Sequence, residues 1–494
     1  MQIVTSTTPN GIRTRTATIP GRCYGALTFG VGARDETIMN RQITHLVAHL
    51  IVARTNRPVI PTKLALNENA VTFSASGTAT EVVAHFRDIA ESIVTGELIK
   101  RFDVERELRI MHIEDDSLLG AGSSGPLTRR FGPRDLGLED VITPGPITFG
   151  KRVIRDWMME WFVAGNASIA LTKPLPVAFD LPLPESPPFK RPLSTVMDTA
   201  TPAVHAASRS VTLAVVVPEA TPEAWSESVR AELQHSVSHR AGLAYSTAVS
   251  LTRIDSESTL VSFDIDAPDS ELSAAAHIVM DEVRRMARQG VSPESLALGR
   301  QYEKVTFDGD PNSVVALLDA MNECELRGWS VRSRNERLAA SQGLTSADVA
   351  ATLNSALETM TLTIGDAEVA RRAASTFGLP FVDWEITQPS TAKAWKGAAQ
   401  ESRVWEAKSK GDMPGVDLII TATRILMRDD DRYTRIRFDD LVLLATGQGS
   451  PTSIVDSRGC GMEFAASDWK KGDELIAALI AAVRPVIVKE LPKR

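Results

Sequence analysis

The chain has 494 residues, 43% of them hydrophobic and 23% charged, with a formal net charge of −8. That length exceeds one compact core, and three domains of ordinary size fit it. The composition is that of a globular protein, and the acidic balance argues against nucleic acid and anionic membrane as main partners.

The first residues, Met1-Gln-Ile-Val-Thr-Ser-Thr, lack a basic start followed by an apolar run, so no secretory leader is expected. An element pattern begins with Ala17–Val31, which reads as a strand, and Thr37–Arg54, which reads as a helix. Alternating residues at Val71–Ser76 predict a strand. Helices follow at Thr80–Thr95 and from about Asp103, and Ala167–Thr172 closes the half as a strand. Pro174–Pro192 holds seven prolines and reads as an extended linker. The same order then recurs. Ser210–Val217 is a predicted strand, Pro222–Ser236 a helix and Leu260–Ile265 a strand. Ser270–Gln289 and Pro293–Val305 are predicted helices, and Met360–Ile364 is the closing strand. This predicts two tandem copies of one α+β unit, each an antiparallel sheet carrying helices.

A softer seam runs from Pro380 to about Lys396. Beyond it, Leu418–Met427, Thr434–Phe438, Leu441–Leu444, Ser453–Asp456 and Met462–Ala465 predict short strands and hairpins. Lys471–Leu491 predicts one long closing helix bent at Pro485. Small strands with one closing helix suggest a pleckstrin-homology-like (PH-like) barrel. The expected divisions are 1–173, a linker at 174–195, 196–385, a linker at 386–400, and 401–494. The longest apolar stretch, Leu475–Val488, is broken by Arg484-Pro485 and is too short to span a bilayer. Cys23, Cys324 and Cys460 are widely spaced and odd in number, which fits a reducing cytoplasm rather than a disulfide framework.

His45-Leu-Val-Ala-His49 carries the most chemistry. Histidines four residues apart on a helix project from one face and can share a metal ion, or on a mostly apolar helix can simply be buried and hydrogen-bonded. Zinc peptidases built on such a pair place an acidic residue beside the histidines to activate water. Here the residue before the second histidine is Ala48.

The chain resembles the pitrilysin/insulinase family of zinc metallopeptidases, and the resemblance spans about residues 10–380. Gly30-Val-Gly-Ala-Arg-Asp-Glu36 is similar to the family's glycine-rich strand end, and His45–His49 stands at its inverted zinc motif, HxxEH. Phe102-Asp-Val-Glu-Arg-Glu-Leu-Arg-Ile-Met-His112 resembles the later helix, F-x-x-E-R-x-x-x-x-x-E. Trp161–Thr172 resembles the last strand of the catalytic half. Gly242-Leu-Ala-Tyr-Ser246 and Gln289–Leu296 are similar to segments of the second half.

Carried over, His45 and His49 are two zinc ligands and His112 replaces the third, normally glutamate. Glu105 is the supporting carboxylate, and Ala48 takes the place of the catalytic base. A three-histidine set binds zinc well. A missing general base forfeits about 10²–10⁴-fold in rate. Glu105, Glu114 and Asp115 are the carboxylates from which a substitute could come. The family's substrate-gripping tyrosine corresponds to Tyr245, while its arginine partner falls on Ser238, leaving Arg240 as an offset replacement. Read without the family, Tyr245 packs into the second sheet.

His235 and His239, again four apart, could bind metal, but the flanking serines and the lack of a third ligand favour a solvated helix face. Arg424, Arg428, Arg432, Arg435 and Arg437 read as an ordinary charged surface rather than a lipid-binding one, because Asp429-Asp430-Asp431 interrupts them. The resemblance implies a cytoplasmic, non-peptidolytic protein that binds a peptide or partner protein, as a homodimer or beside an active paralogue. The rival expectation is a zinc peptidase with three histidines and a relocated base. A third is zinc as a structural clamp.

Overall fold

The computed structural model describes residues 2–55, 59–95, 100–118, 125–141, 148–176, 179–189, 191, 194, 196–197, 201–206, 210–306, 311–410, 414–447 and 450–491. The chain divides into two compact units. The first comprises Met1–Asp35, Val47–Ile99 and Arg152–Asp383, and the second Glu36–Leu46, Lys100–Lys151 and Trp384–Arg494. The first division of the chain within a secondary-structure element falls inside one helix, Ile43–Val52.

Two six-stranded sheets make up the first unit. The first sheet contains β1 (Ile3–Thr7), β2 (Arg13–Ala17), β3 (Cys23–Phe29), β4 (Thr62–Leu66), β5 (Val71–Gly77) and β6 (Ala167–Leu171). Its order is β1-β2-β6-β3-β5-β4. The second contains β7 (Ala203–Ala206), β8 (Val211–Pro218), β9 (Thr247–Arg253), β10 (Ser258–Ile265), β11 (Thr361–Ile364) and β12 (Phe381–Val382), in the order β12-β7-β11-β8-β10-β9. The topologies repeat. Leu27 of β3 lies opposite Phe73 of β5 and Ile169 of β6, both antiparallel. Leu213 of β8 lies opposite Phe263 of β10 and Leu362 of β11 in the same way. A parallel pair follows on one side of each, β2 with β6 and β7 with β11. The copies part at the outermost strand, where β1 is antiparallel to β2 and β12 is parallel to β7.

Helices bury apolar stripes on these sheets. Ala79–Val94 starts at a capping box formed by Thr78 and Glu81 and buries Val82, Phe86, Ile89 and Ile93. Trp225, Val229 and Leu233 do the same for the second sheet. Helix Pro311–Leu326 packs on the first sheet, where Ala17, Ala26 and Ala170 leave room for Val314 and Leu318. The expected strand Ala17–Val31 is two strands, because the chain turns at Pro20-Gly21 with Gly21 at φ +86°. The proline-rich stretch has no helix or strand among its described residues.

In the second unit, β13 (Gln388–Pro389), β14 (Val404–Glu406), β15 (Val416–Ile420), β16 (Arg424–Asp429) and β17 (Arg432–Arg437) form a sheet of order β13-β17-β16-β15-β14. A second sheet, β20-β19-β18-β21, contains β18 (Leu441–Gly447), β19 (Ser450–Asp456), β20 (Gly461–Phe464) and β21 (Val488–Glu490). Leu418, Ile425 and Ile436 share a core with Leu444, Ile454, Phe464, Trp469 and Leu475. No closed barrel is found among the described residues. The expected helix Lys471–Leu491 spans only Gly472–Ala482. Pro485, which lacks an N–H, starts a 3-10 turn, and the chain leaves it as β21, parallel to β18. Residues 386–400, read as a linker, hold β13 and most of helix Ala392–Glu401. The segment Lys100–Lys151 packs with this body. The Thr148 N–H donates to the Glu490 carbonyl at 3.0 Å, and the Arg129 guanidinium lies 5.0 Å from the Trp384 ring centroid.

Candidate metal centre

The histidine-bearing helix, Ile43–Val52, is shorter than the expected Thr37–Arg54. Its start is fixed by tertiary hydrogen bonds. Gln42 adopts φ +69°, and the Glu36 carboxylate accepts the Gln42 N–H at 2.7 Å and the Thr44 N–H at 2.8 Å. Glu36 therefore acts as a cap supplied from upstream, meeting N–H groups that have no partner inside the helix. Burial raises its carboxyl to about 7, against the opposing pull of those N–H groups and of Arg41. Leu46, Val47, Ala48, Leu50 and Ile51 are fully buried, while His45 and His49 are half-buried.

The facing carboxylate comes from helix Arg101–Leu118. Glu114 Oε2 lies 3.3 Å from His45 Nε2. His49 follows one turn further on the histidine helix, and one ligand atom from each of His45, His49 and Glu114 lies within 4.8 Å of the others. Zinc held tetrahedrally at about 2.1 Å sets its ligand atoms about 3.4 Å apart. Two imidazoles and one carboxylate at this spacing fit zinc, with a small closing movement at the widest pair. A zinc ion held there supplies Lewis acidity.

His112 is not in that group. It stands two residues before Glu114, and at about 100° per residue the two point to nearly opposite sides of the helix. Glu105, seven residues before His112, shares its face and is exposed. Glu107 stands seven residues before Glu114 and is buried, at 4% exposure. The seven-residue spacing expected of Glu105 and His112 thus recurs two residues on, in Glu107 and Glu114. The signal for this second register was in the sequence as the stripe Val104, Leu108, Met111, all buried, which continues at helical spacing into Glu114.

Ala48 stands beside His49 with a methyl group and no proton-transfer function. Glu114 is already engaged with His45, and Glu105, nine residues before Glu114 on the same helix, is exposed. The side chain of Asp115 lies outside the described residues.

The glycine-rich strand end has a structural basis. Asp35 accepts from Arg327 Nη2 at 2.7 Å, from Arg191 Nε at 3.3 Å and from the Gly32 N–H at 3.0 Å. A Cβ at Gly32 would sit 2.5 Å from the Asn67 carbonyl oxygen, so only glycine fits.

The second half brings no comparable group together among the described residues. Tyr245 is 88% exposed, so the expectation that it packs into the second sheet fails; its N–H donates to the Asp266 carbonyl, so its backbone is tied beside the sheet while its ring stays in solvent. Arg240 is exposed, with Nη2 at 3.8 Å from Glu282 Oε2. His235 and His239 are exposed, with ring centroids 6.0 Å apart, on a π-helical turn, His235–Arg240.

No family model matches the chain, and no curated protein matches it. Solved structures do. A protease from Helicobacter pylori superposes with a TM-score of 0.60 at 12% identity, covering 74% of this chain and 99% of its own. A peptidase M16 inactive domain from Pseudomonas fluorescens gives 0.57 at 14% identity, covering 74% and 97%. A chain of complex III2 from Candida albicans gives 0.57 at 14% identity, covering 73% and 95%. The chain thus has the pitrilysin/insulinase (M16) fold, which peptidases share with an inactive domain.

Proposed function

We propose that this chain is a non-peptidolytic insulinase-like protein that holds a metal ion and binds a peptide or partner protein, as the inactive subunit beside an active paralogue. One observation carries the reading. His45, His49 and Glu114 each bring a potential ligand atom within 4.8 Å of the others, while Ala48 stands where the resemblance expects the water-activating base. A metal without that base keeps its power to clamp two helices together and loses the proton transfer that peptide hydrolysis requires. The inactive M16 domain and the complex III2 chain with the same fold support a binding role. The reading places the protein in a reducing cytoplasm, where Cys23, Cys324 and Cys460 stay free thiols. Its PH-like expectation reduces to an added two-sheet body with an assembly role.

The test pairs metal content with cleavage on tag-free protein. About one zinc per chain, lost in His45→Ala/His49→Ala, with no cleavage of a mixed peptide library, is the expected result. Cleavage by the unmodified protein that His49→Ala abolishes would overturn it and establish the rival zinc peptidase.

A further inference from the structure

The five arginines of the β16–β17 hairpin are not equivalent. Arg428 is paired with Asp417, and Arg432 lies 3.3 Å from Glu385. Arg424 and Arg437 lie directly opposite each other in the β16–β17 register, and Arg435, two residues before Arg437, points to the same face. Like charges directly opposite on a sheet repel. Arg424 and Arg435 are half-buried, and neither has a carboxylate within 4.0 Å or a side-chain hydrogen bond among the described residues. The Nε of each is buried without an acceptor. A desolvated guanidinium N–H without a partner is unfavourable, and two of them beside a third arginine form a site made for an anion.

We propose that Arg424, Arg435 and Arg437 bind a soluble phosphate monoester. Among the described residues, the one carboxylate within 4.0 Å of these three guanidinium groups is Asp439, 3.8 Å from Arg437. The balance of two positive charges matches a dianion. Planar guanidinium forks donate in pairs to tetrahedral oxyanions, and three forks on one face surround such a group. Trp395 of helix Ala392–Glu401 covers the Arg428 end of this face, with Arg428 5.2 Å from its ring centroid. Arg424 and Arg437 stand at the other end of their strands. The exposed turn Asp429-Asp430-Asp431 and the net charge of −8 disfavour an anionic membrane as the source of the phosphate.

The probe is glycerol 3-phosphate, titrated into the full chain by calorimetry at pH 7.5 and fixed chloride, with acetate as comparator. Saturable binding is expected, weakened about tenfold or more by Arg424→Gln and again by Arg435→Gln, since each removes charge-assisted hydrogen bonds. Arg403→Gln, on an arginine paired with Glu474, leaves it unchanged. Arg435→Lys, which keeps the charge and loses the fork, weakens it as well. Without any variant, glycerol 3-phosphate should protect Arg424 and Arg435 of the wild-type chain from phenylglyoxal. Heat no greater than that of acetate, full binding in the double variant, or absent protection would each overturn the proposal. Binding to phosphatidylserine vesicles with none to glycerol 3-phosphate would also overturn it and give the face to a membrane.

Discussion

Glu36→Gln tests how the histidine helix is held. The wild-type carboxyl, raised by burial from 4.5 to about 7, keeps its proton in the folded chain over a range where the unfolded chain releases it. The sign follows. This stabilisation is fully present below pH 4.5 and is lost as pH rises through about 7. At 1.36 kcal/mol per unit the change across that window amounts to about 3 kcal/mol. Glutamine cannot titrate, so the variant loses this slope. It also turns an amide NH₂ toward either the Gln42 or the Thr44 N–H, a loss of about 1 kcal/mol at every pH. A chain of two units need not unfold in one step, so the assay must be local. Hydrogen exchange of a peptide covering Glu36–Val52, corrected for intrinsic rates between pH 4.5 and 7.5, reports the opening free energy of this helix. Wild-type protection should fall with rising pH relative to the variant. Parallel profiles would refute the account of Glu36 as a buried cap with a raised pKa.

Other changes separate ligand, base and scaffold. Glu114→Ala should lower zinc affinity by more than the about 10–100-fold typical of outer-shell changes, while His112→Ala leaves it near wild type; elemental analysis under competing chelator decides between them. Ala48→Glu should create zinc-dependent peptide cleavage about 10²–10⁴-fold above the unmodified chain, measured on a fluorogenic peptide library; cleavage unaffected by chelator would count against an eroded peptidase site. Asp35→Ala leaves Arg191 and Arg327 buried without their shared carboxylate and should destabilise the first unit by about 3–5 kcal/mol, read by urea unfolding followed at the tryptophans.

The tandem repeat was legible because its central strands are buried on both faces or alternate cleanly, as in Val71–Gly77 and Ser258–Ile265. β9 escaped notice because it is an edge strand. Its residues Thr247–Arg253 are mostly exposed or half-buried, so neither an apolar run nor a one-sided alternation marks it. β12 and β13 have two residues each and exist through their partners. Helix Pro311–Leu326 carries polar residues on the side that meets the first sheet, where Arg15 donates to Asn322 at 2.6 Å and Thr72 to Asp319 at 3.3 Å. A polar contact across two halves hides the helical stripe that periodicity seeks. The C-terminal helix was over-extended for the opposite reason. Val486, Ile487 and Val488 continue an apolar composition, and a proline that was read as a bend marks the change from helix to strand.

The metal centre turns on which face of the carboxylate helix meets the histidines. The F-x-x-E-R pattern fixed the sequence register on Glu105, and counting seven residues forward put His112 in the ligand position. Motif letters alone carry no face; the apolar stripe and its burial do. Val104, Glu107, Leu108 and Met111 are the buried residues of this helix among those described, at spacings of three, one and three. Three more residues along the same stripe is Glu114, half-buried where the stripe reaches the histidines. Glu105 and His112 share another face, since a shift of two residues on a helix is a rotation of about 200°, which turns His112 nearly opposite to Glu114. The departure from the resembled ligand set is then smaller than the letters imply. Two histidines and a glutamate stand together where metal can be held, and position 48 carries a methyl group instead of a carboxylate. Under the proposed binding role, ligands that tie two helices together keep a structural use, whereas a carboxylate at the fully buried position 48 would serve only hydrolysis and would cost burial of a charge.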